Sequence, residues 1–160
     1  MNWLERVRGQ SSEYQVGVFW DKQTGCKIHI KEHPAISIDL PIKYGGRGRN
    51  PCPHELFFAS LGSCFLGTFL TFQKKLQLQL QDLVVSVQGS VDPIISGIDQ
   101  GKYAITGIEI YVYAKVEGDQ DEKDIAEDCI RLTEEHCPIA FTLRKSVPIK
   151  IVSQIETTDS

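Results

Sequence analysis

Hydrophobic and polar residues change their period several times along this chain, and each change marks an element. Residues 14–20 (YQVGVFW) and 26–30 (CKIHI) alternate or run apolar, with turn formers from Asp21 to Gly25 between them. They predict two strands. Residues 35–42 alternate at Ile36, Ile38, Leu40 and Ile42, then meet a glycine loop from Tyr44 to Asn50. Pro51 and Pro53 follow, and proline suits a helix entry, where no amide hydrogen is needed. From Leu56 to Phe72 the chain is uncharged, the pattern of a long apolar helix. Alternation returns over residues 76–91, a turn-rich stretch spans Asp92 to Gly101, and residues 103–116 predict a further strand. Asp119 to Asp124 form an acidic helix start, which suits the helix dipole. Ile125, Cys129, Ile130 and Leu132 mark its apolar stripe, and Pro138 stops it. Residues 147–155 predict a last strand. This order argues for one α+β domain over residues 1–160, not for alternating βαβ units.

The apolar helix must first be weighed as a membrane span. Its 17 uncharged residues cover roughly 25 Å at ~1.5 Å per residue, short of a ~30 Å hydrocarbon core. Ser60, Gly62, Ser63, Gly67, Thr68 and Thr71 interrupt it, so a buried core helix is expected. A net charge of −4 leaves no electrostatic footprint for nucleic acid. The N-terminus, MNWLERVRGQSSEYQ, has no apolar core and an early acid, so no signal peptide is expected. Five cysteines, an odd count without small-secreted spacing, favour a reducing compartment, the cytoplasm by default. Nothing calls for a cofactor. No metal is expected either: there is no C-x-x-C or H-x₃-H pair, and His136 and Cys137 diverge on a helix.

Two cysteines carry the candidate chemistry. Cys64 sits in the middle of the apolar helix, and Cys137 closes the second helix 73 positions later. They can act together only if the fold packs those helices against each other. On an ideal helix Phe57, Ser60, Leu61, Gly67, Thr68 and Thr71 lie within about 60° of Cys64. Four of these are small, so another backbone can approach closely, or a pocket can open over the sulfur. A core role for Cys64 as a small hydrophobe stays equally open. A helix C-terminus disfavours a Cys137 thiolate, and an apolar setting disfavours one at Cys64. A reactive thiolate therefore needs a cation brought by the fold, from Arg47, Arg49, Arg6, Arg8 or Arg144. Cys26, Cys52 and Cys129 read as core or surface thiols.

The run Pro53–Phe65 (PHELFFASLGSCF), preceded by the G-G-x-G loop and followed by His136-Cys137-Pro138, resembles the OsmC/Ohr family, the osmotically inducible and organic-hydroperoxide-resistance proteins. The likeness extends to the order of elements. It implies an OsmC-like fold, antiparallel sheets packed around a long buried central helix, in an intertwined homodimer with sites at the interface. It also implies thiol-dependent reduction of organic hydroperoxides. Cys64 would be the peroxidatic cysteine forming a sulfenic acid, Cys137 the resolving one forming a disulfide, and the reductant a dithiol, notably a lipoylated protein.

The pattern also departs from the family. Its functional glutamate stands ten residues before the first cysteine, where this chain has His54; Glu55 stands nine before. On a straight helix either lies about 13–15 Å from Cys64 along the axis, so any contact would come from a partner subunit. Glu55 is a candidate catalytic residue and equally a first-turn acid favoured by the dipole. The family's activating arginine belongs to the N-terminal hairpin and finds no clear counterpart. Arg47 of the glycine loop is the candidate at the substrate, and Phe57 and Leu61 offer an apolar face to an alkyl hydroperoxide.

Two classes of function follow. One is a two-cysteine thiol peroxidase with no metal or membrane partner. The other is a dimeric binding or stress protein on the same fold whose cysteines never meet. The separation of the two sulfurs discriminates between them.

Overall fold

The computed structural model describes residues 14–158; Arg6 and Arg8, two of the candidate cations, lie outside the described residues. The chain divides into an N-terminal unit ending at Leu56 and a C-terminal unit beginning at Phe57.

In the N-terminal unit, strands β1 (Gly17–Trp20), β2 (Gly25–His29) and β3 (Ile36–Asp39) form an antiparallel sheet in that order. The β1–β2 turn is fixed by Asp21, whose carboxylate accepts from the amides of Gln23 at 2.7 Å and Gly25 at 3.1 Å. These are the local bonds that make aspartate a turn former. A single 3₁₀ turn (Ile42–Tyr44) leads into the glycine loop, where Gly45 caps it with φ +82°, a conformation open to glycine at little cost.

Helix α1 (Pro53–Leu76) joins the two units. The C-terminal unit holds β4 (Leu80–Pro93), β5 (Tyr103–Glu117), α2 (Gln120–His136), α3 (Pro138–Leu143) and β6 (Ile149–Thr158). β4 and β5 pair antiparallel as a long hairpin. β6 then pairs parallel to β5, which corrects the expectation of purely antiparallel sheets. The reason is the connection: α2 and α3 carry the chain back to the end where β5 began, the crossover that parallel pairing requires.

The inner face of this sheet is Ile108, Ile110, Val112, Ala114 and Val116, all buried. Against it α1 lays Leu61, Phe65 and Phe69, fully buried, with Phe58 and Phe72 at the margin. Each of the large side chains contributes about 1.5–3 kcal/mol. Two glycines set the approach. A Cβ on Gly62 would come within 3.1 Å of Val87, and one on Gly89 would overlap the Phe58 ring at 2.1 Å. So the Val87 side chain packs onto the helix at Gly62, and the Phe58 ring lies on the strand at Gly89.

Within the single chain α1 is covered on one face only. Although α1 is long and apolar enough to cross a membrane by length and composition, only 22% of its most apolar stretch is buried within the chain. A three-stranded sheet and α2 cover one face. Ala59, Ser60, Ser63, Gly67 and Thr71 stay exposed on the other.

The strand expected at 76–91 begins later, at Leu80. Leu78 is buried, but Gln77 adopts φ +58° and the Leu78 amide donates back to the Gln73 carbonyl at 3.1 Å. That bond is a helix C-cap, so the first alternating residues end α1 instead of starting β4.

Candidate active site

Cys64 and Cys137 meet. Their sulfurs are 3.5 Å apart, across 73 residues of sequence. Cys64 lies mid-helix on α1, half-buried at the edge of the core. Cys137 is fully buried. It continues the stripe Ala126, Cys129, Ile130 and Thr133 that α2 turns inward, the i, i+3, i+4, i+7 spacing of one helix face. The two helices are also fastened beside the thiols: the Phe72 ring of α1 meets the His136 ring of α2 edge-on at 5.2 Å. His136 Nδ1 is 2.8 Å from the Leu132 carbonyl.

Pro138 does more than stop α2. Cys137 is at once the C-cap of α2, its amide donating to the Thr133 carbonyl at 2.9 Å, and the N-cap of α3, with Pro138 in the first turn. Only the first half of this is visible in the sequence. Burial pushes the Cys137 thiol up, the amides of Ala140 and Ile139 pull against it, and the adjoining Cys64 raises it further. A partly buried cysteine beside a fully buried one that keeps its proton can attack an electrophile and then form a disulfide. From 3.5 Å the sulfurs need close only by about 1.5 Å to reach a bond of ~2.05 Å.

The remaining site candidates have contacts of their own. Glu55 accepts from the Cys52 amide at 2.6 Å, three residues back, the reciprocal half of a capping box. That amide holds the Glu55 carboxyl below its ordinary value. His54 is exposed at the same turn. Leu61 is fully buried in the core, and Phe57 is half-buried with its ring edge-on to Phe58 at 5.5 Å.

Among the cations, Arg47 donates to Gln23 Oε1 at 2.6 Å. Arg144 pairs with Glu134 at 3.2 Å. Arg49 is held by two carboxylates, Asp39 and Asp21, each at 2.7 Å. Sequence reasoning misses this last cluster, because Asp39 falls in the polar phase of its alternating strand and yet is buried. Arg49 and then Thr24 hold its carboxyl far below the usual range. Cys129 is a core thiol, pushed up to about 11 by burial and by Asp128. Among the described residues no group of three or more His, Cys, Asp or Glu could hold a metal ion.

An α+β chain with two thiols facing each other between packed helices defines a dithiol protein. The chain belongs to the OsmC family: residues 46–152 match the model for OsmC-like proteins, a span that includes both cysteines. Its fold is that of an OsmC-like protein from Mycoplasma pneumoniae, at TM-score 0.76 and 15% identity, covering 92% of this chain and 99% of that one. It is also similar to the organic hydroperoxide resistance protein OhrB of Bacillus subtilis, at TM-score 0.66 and 20% identity, with 89% and 98% covered. An organic hydroperoxide resistance protein OsmC from Legionella pneumophila gives TM-score 0.67 and 18% identity, with 91% and 97% covered. No curated protein sequence matches significantly.

Proposed function

We propose that this protein is a cytoplasmic thiol peroxidase that reduces organic hydroperoxides through Cys64 and Cys137. The observation that carries the reading is the 3.5 Å approach of the two sulfurs. The Cys64 thiolate attacks the distal peroxide oxygen, the O–O bond breaks, and the alkoxide takes a proton from solvent to leave as the alcohol. Cys64 becomes a sulfenic acid. Cys137 then attacks that sulfur, its proton leaves with the hydroxyl as water, and a disulfide forms. A dithiol or a lipoylated protein returns both thiols. Phe57 supplies apolar contact for the alkyl group, Arg47 is the cation for the peroxide, and Glu55 supports it, whereas Leu61 is fully buried against the sheet and offers the substrate no contact.

The working unit is a homodimer. The uncovered face of α1 carries small residues whose hydroxyls are already satisfied by their own helix: Ser60 on the Phe57 carbonyl, Ser63 on Ser60 and Thr71 on Gly67. Such a face accepts a second helix closely and at little polar cost, which favours a protein partner over lipid. Light scattering on a sizing column checks the mass.

The engagement of Glu55 as a cap and of Arg47 by Gln23 favours the second reading, a non-catalytic dimeric binding protein. Consumption of cumene hydroperoxide under excess dithiol separates the two. Fast turnover that is lost in Cys64→Ser, with Cys137→Ser losing only recycling through the disulfide, is the expected result. Turnover no faster than free thiol, unchanged by either substitution, overturns the peroxidase.

A further inference from the structure

The peroxidase reading gives Cys137 work only after the peroxide has reacted. The geometry gives it an earlier role. Resting on that reading, we propose that the buried Cys137 S–H donates a hydrogen bond that holds Cys64 as the reactive thiolate before substrate arrives.

The two thiols of the pair are unequally placed. Cys137 is fully buried and Cys64 half-buried, and burial penalises the charged form. A proton held between the two sulfurs is therefore better kept on Cys137, the more deeply buried residue, than on Cys64. The Sγ–Sγ distance of 3.5 Å puts that proton between them, and a hydrogen bond to an ionised acceptor is about twice as strong as a neutral one.

Among the described residues of the C-terminal unit, the neighbouring polar groups are committed elsewhere. The Thr133 hydroxyl donates to the Cys129 carbonyl at 2.6 Å, and the Cys137 carbonyl accepts from the Phe141 amide at 2.8 Å. His136 is turned to Leu132 and Phe72. Within the C-terminal unit, Arg131 pairs with Asp128 and Glu135, and Arg144 with Glu134. The proton is not consumed in the first step, where the alkoxide is protonated by solvent. It departs in the second, as part of the water.

The test compares Cys137→Ser, Cys137→Ala and Cys137→Val. Pre-reduced protein is alkylated with iodoacetamide at pH 7, and the Cys64 peptide is followed by mass spectrometry. Serine keeps a donor, whereas alanine and valine do not. Alkylation of Cys64 is expected to slow about tenfold in the alanine and valine variants and to stay within about threefold of wild type in the serine variant. A packing role predicts the opposite order, because a hydroxyl suits an apolar pocket worse than a methyl group. Equal rates in all four proteins, or a serine variant as slow as alanine, overturn the proposal. Single-turnover consumption of cumene hydroperoxide by the same variants tests the peroxidase reading separately, so the two fail independently.

Discussion

The charged cluster of the N-terminal unit and the dithiol of the C-terminal unit are built on opposite principles. In the N-terminal unit, Asp39 is buried against Arg49, which also reaches Asp21 and Gln23, while Thr24 donates to Asp39 at 2.7 Å. Every charge there has an opposite charge or a donor, and the cluster ties the β1–β2 turn and the end of β3 to the glycine loop. In the C-terminal unit the dithiol is two sulfurs among Phe65, Phe69 and the inner strand residues. A fully paired cluster is stable because no unmet interaction is left to drive chemistry. A dithiol in an apolar core holds reactivity in reserve.

The largest expected effect strikes the dithiol. One equivalent of cumene hydroperoxide removes two of the five thiols of the wild-type chain by thiol titration. In Cys137→Ser it removes one, trapped by dimedone as the sulfenic acid. In Cys64→Ser it removes none. Loss of two thiols from Cys64→Ser would mean that other cysteines carry the reaction.

The next effect falls on the charged cluster. Asp39→Ala removes the buried carboxylate and leaves Arg49 with Asp21 alone, and is expected to lower the melting temperature more than any surface substitution. The pH dependence has a definite sign. Asp39 is depressed in the folded state, mainly by the Arg49 hydrogen bond and then by Thr24. Its contribution is therefore fully present above the ordinary carboxylate pKa of about 4 and is lost as pH falls below that. Wild type and Asp39→Asn should differ by a constant amount above about pH 5 and converge in acid. Parallel curves down to pH 2 would show that the carboxylate's charge is irrelevant.

The packing around the dithiol gives the third. Leu61→Ala removes a fully buried side chain one turn from Cys64 and should cost about 3 kcal/mol in urea unfolding. Because Leu61 braces α1 against the sheet, disulfide formation with one equivalent of peroxide should slow in the same variant. An unchanged rate would separate packing from chemistry.

How much of this is legible in the sequence depends on where the signals are local. The strands, both long helices and their order follow from periodicity, because burial of one face imposes a period of two or of 3.6. The meeting of Cys64 and Cys137 is a long-range fact, reachable from the sequence only through the family resemblance. Leu76–Gln79 reads as strand and is not one, because an alternating run looks the same whether it pairs in a sheet or turns through a left-handed cap at Gln77. α3 escapes a reading of the sequence because six residues are too few to show a period. Asp39 escapes it because a buried carboxylate is betrayed only by its partner Arg49, ten residues away.

Glu55 has the smallest expected effect and sharpens the comparison most, since it could belong to either kind of cluster. Its carboxylate caps the first turn of α1 at the Cys52 amide, and that bond holds its carboxyl below the ordinary value. If that is its whole role, Glu55→Ala lowers the melting temperature by about 2 °C. Peroxide consumption then stays at the wild-type rate, and Glu55→Gln restores half of the loss or more, because an amide oxygen also accepts. If Glu55 serves the peroxide site, both variants lose turnover while the melting temperature of Glu55→Gln stays near wild type. The geometry of a single chain favours the first outcome, because a carboxylate already accepting a 2.6 Å bond from backbone must break it before serving elsewhere. Turnover lost without stability lost would show that dimer assembly redirects the Glu55 carboxylate.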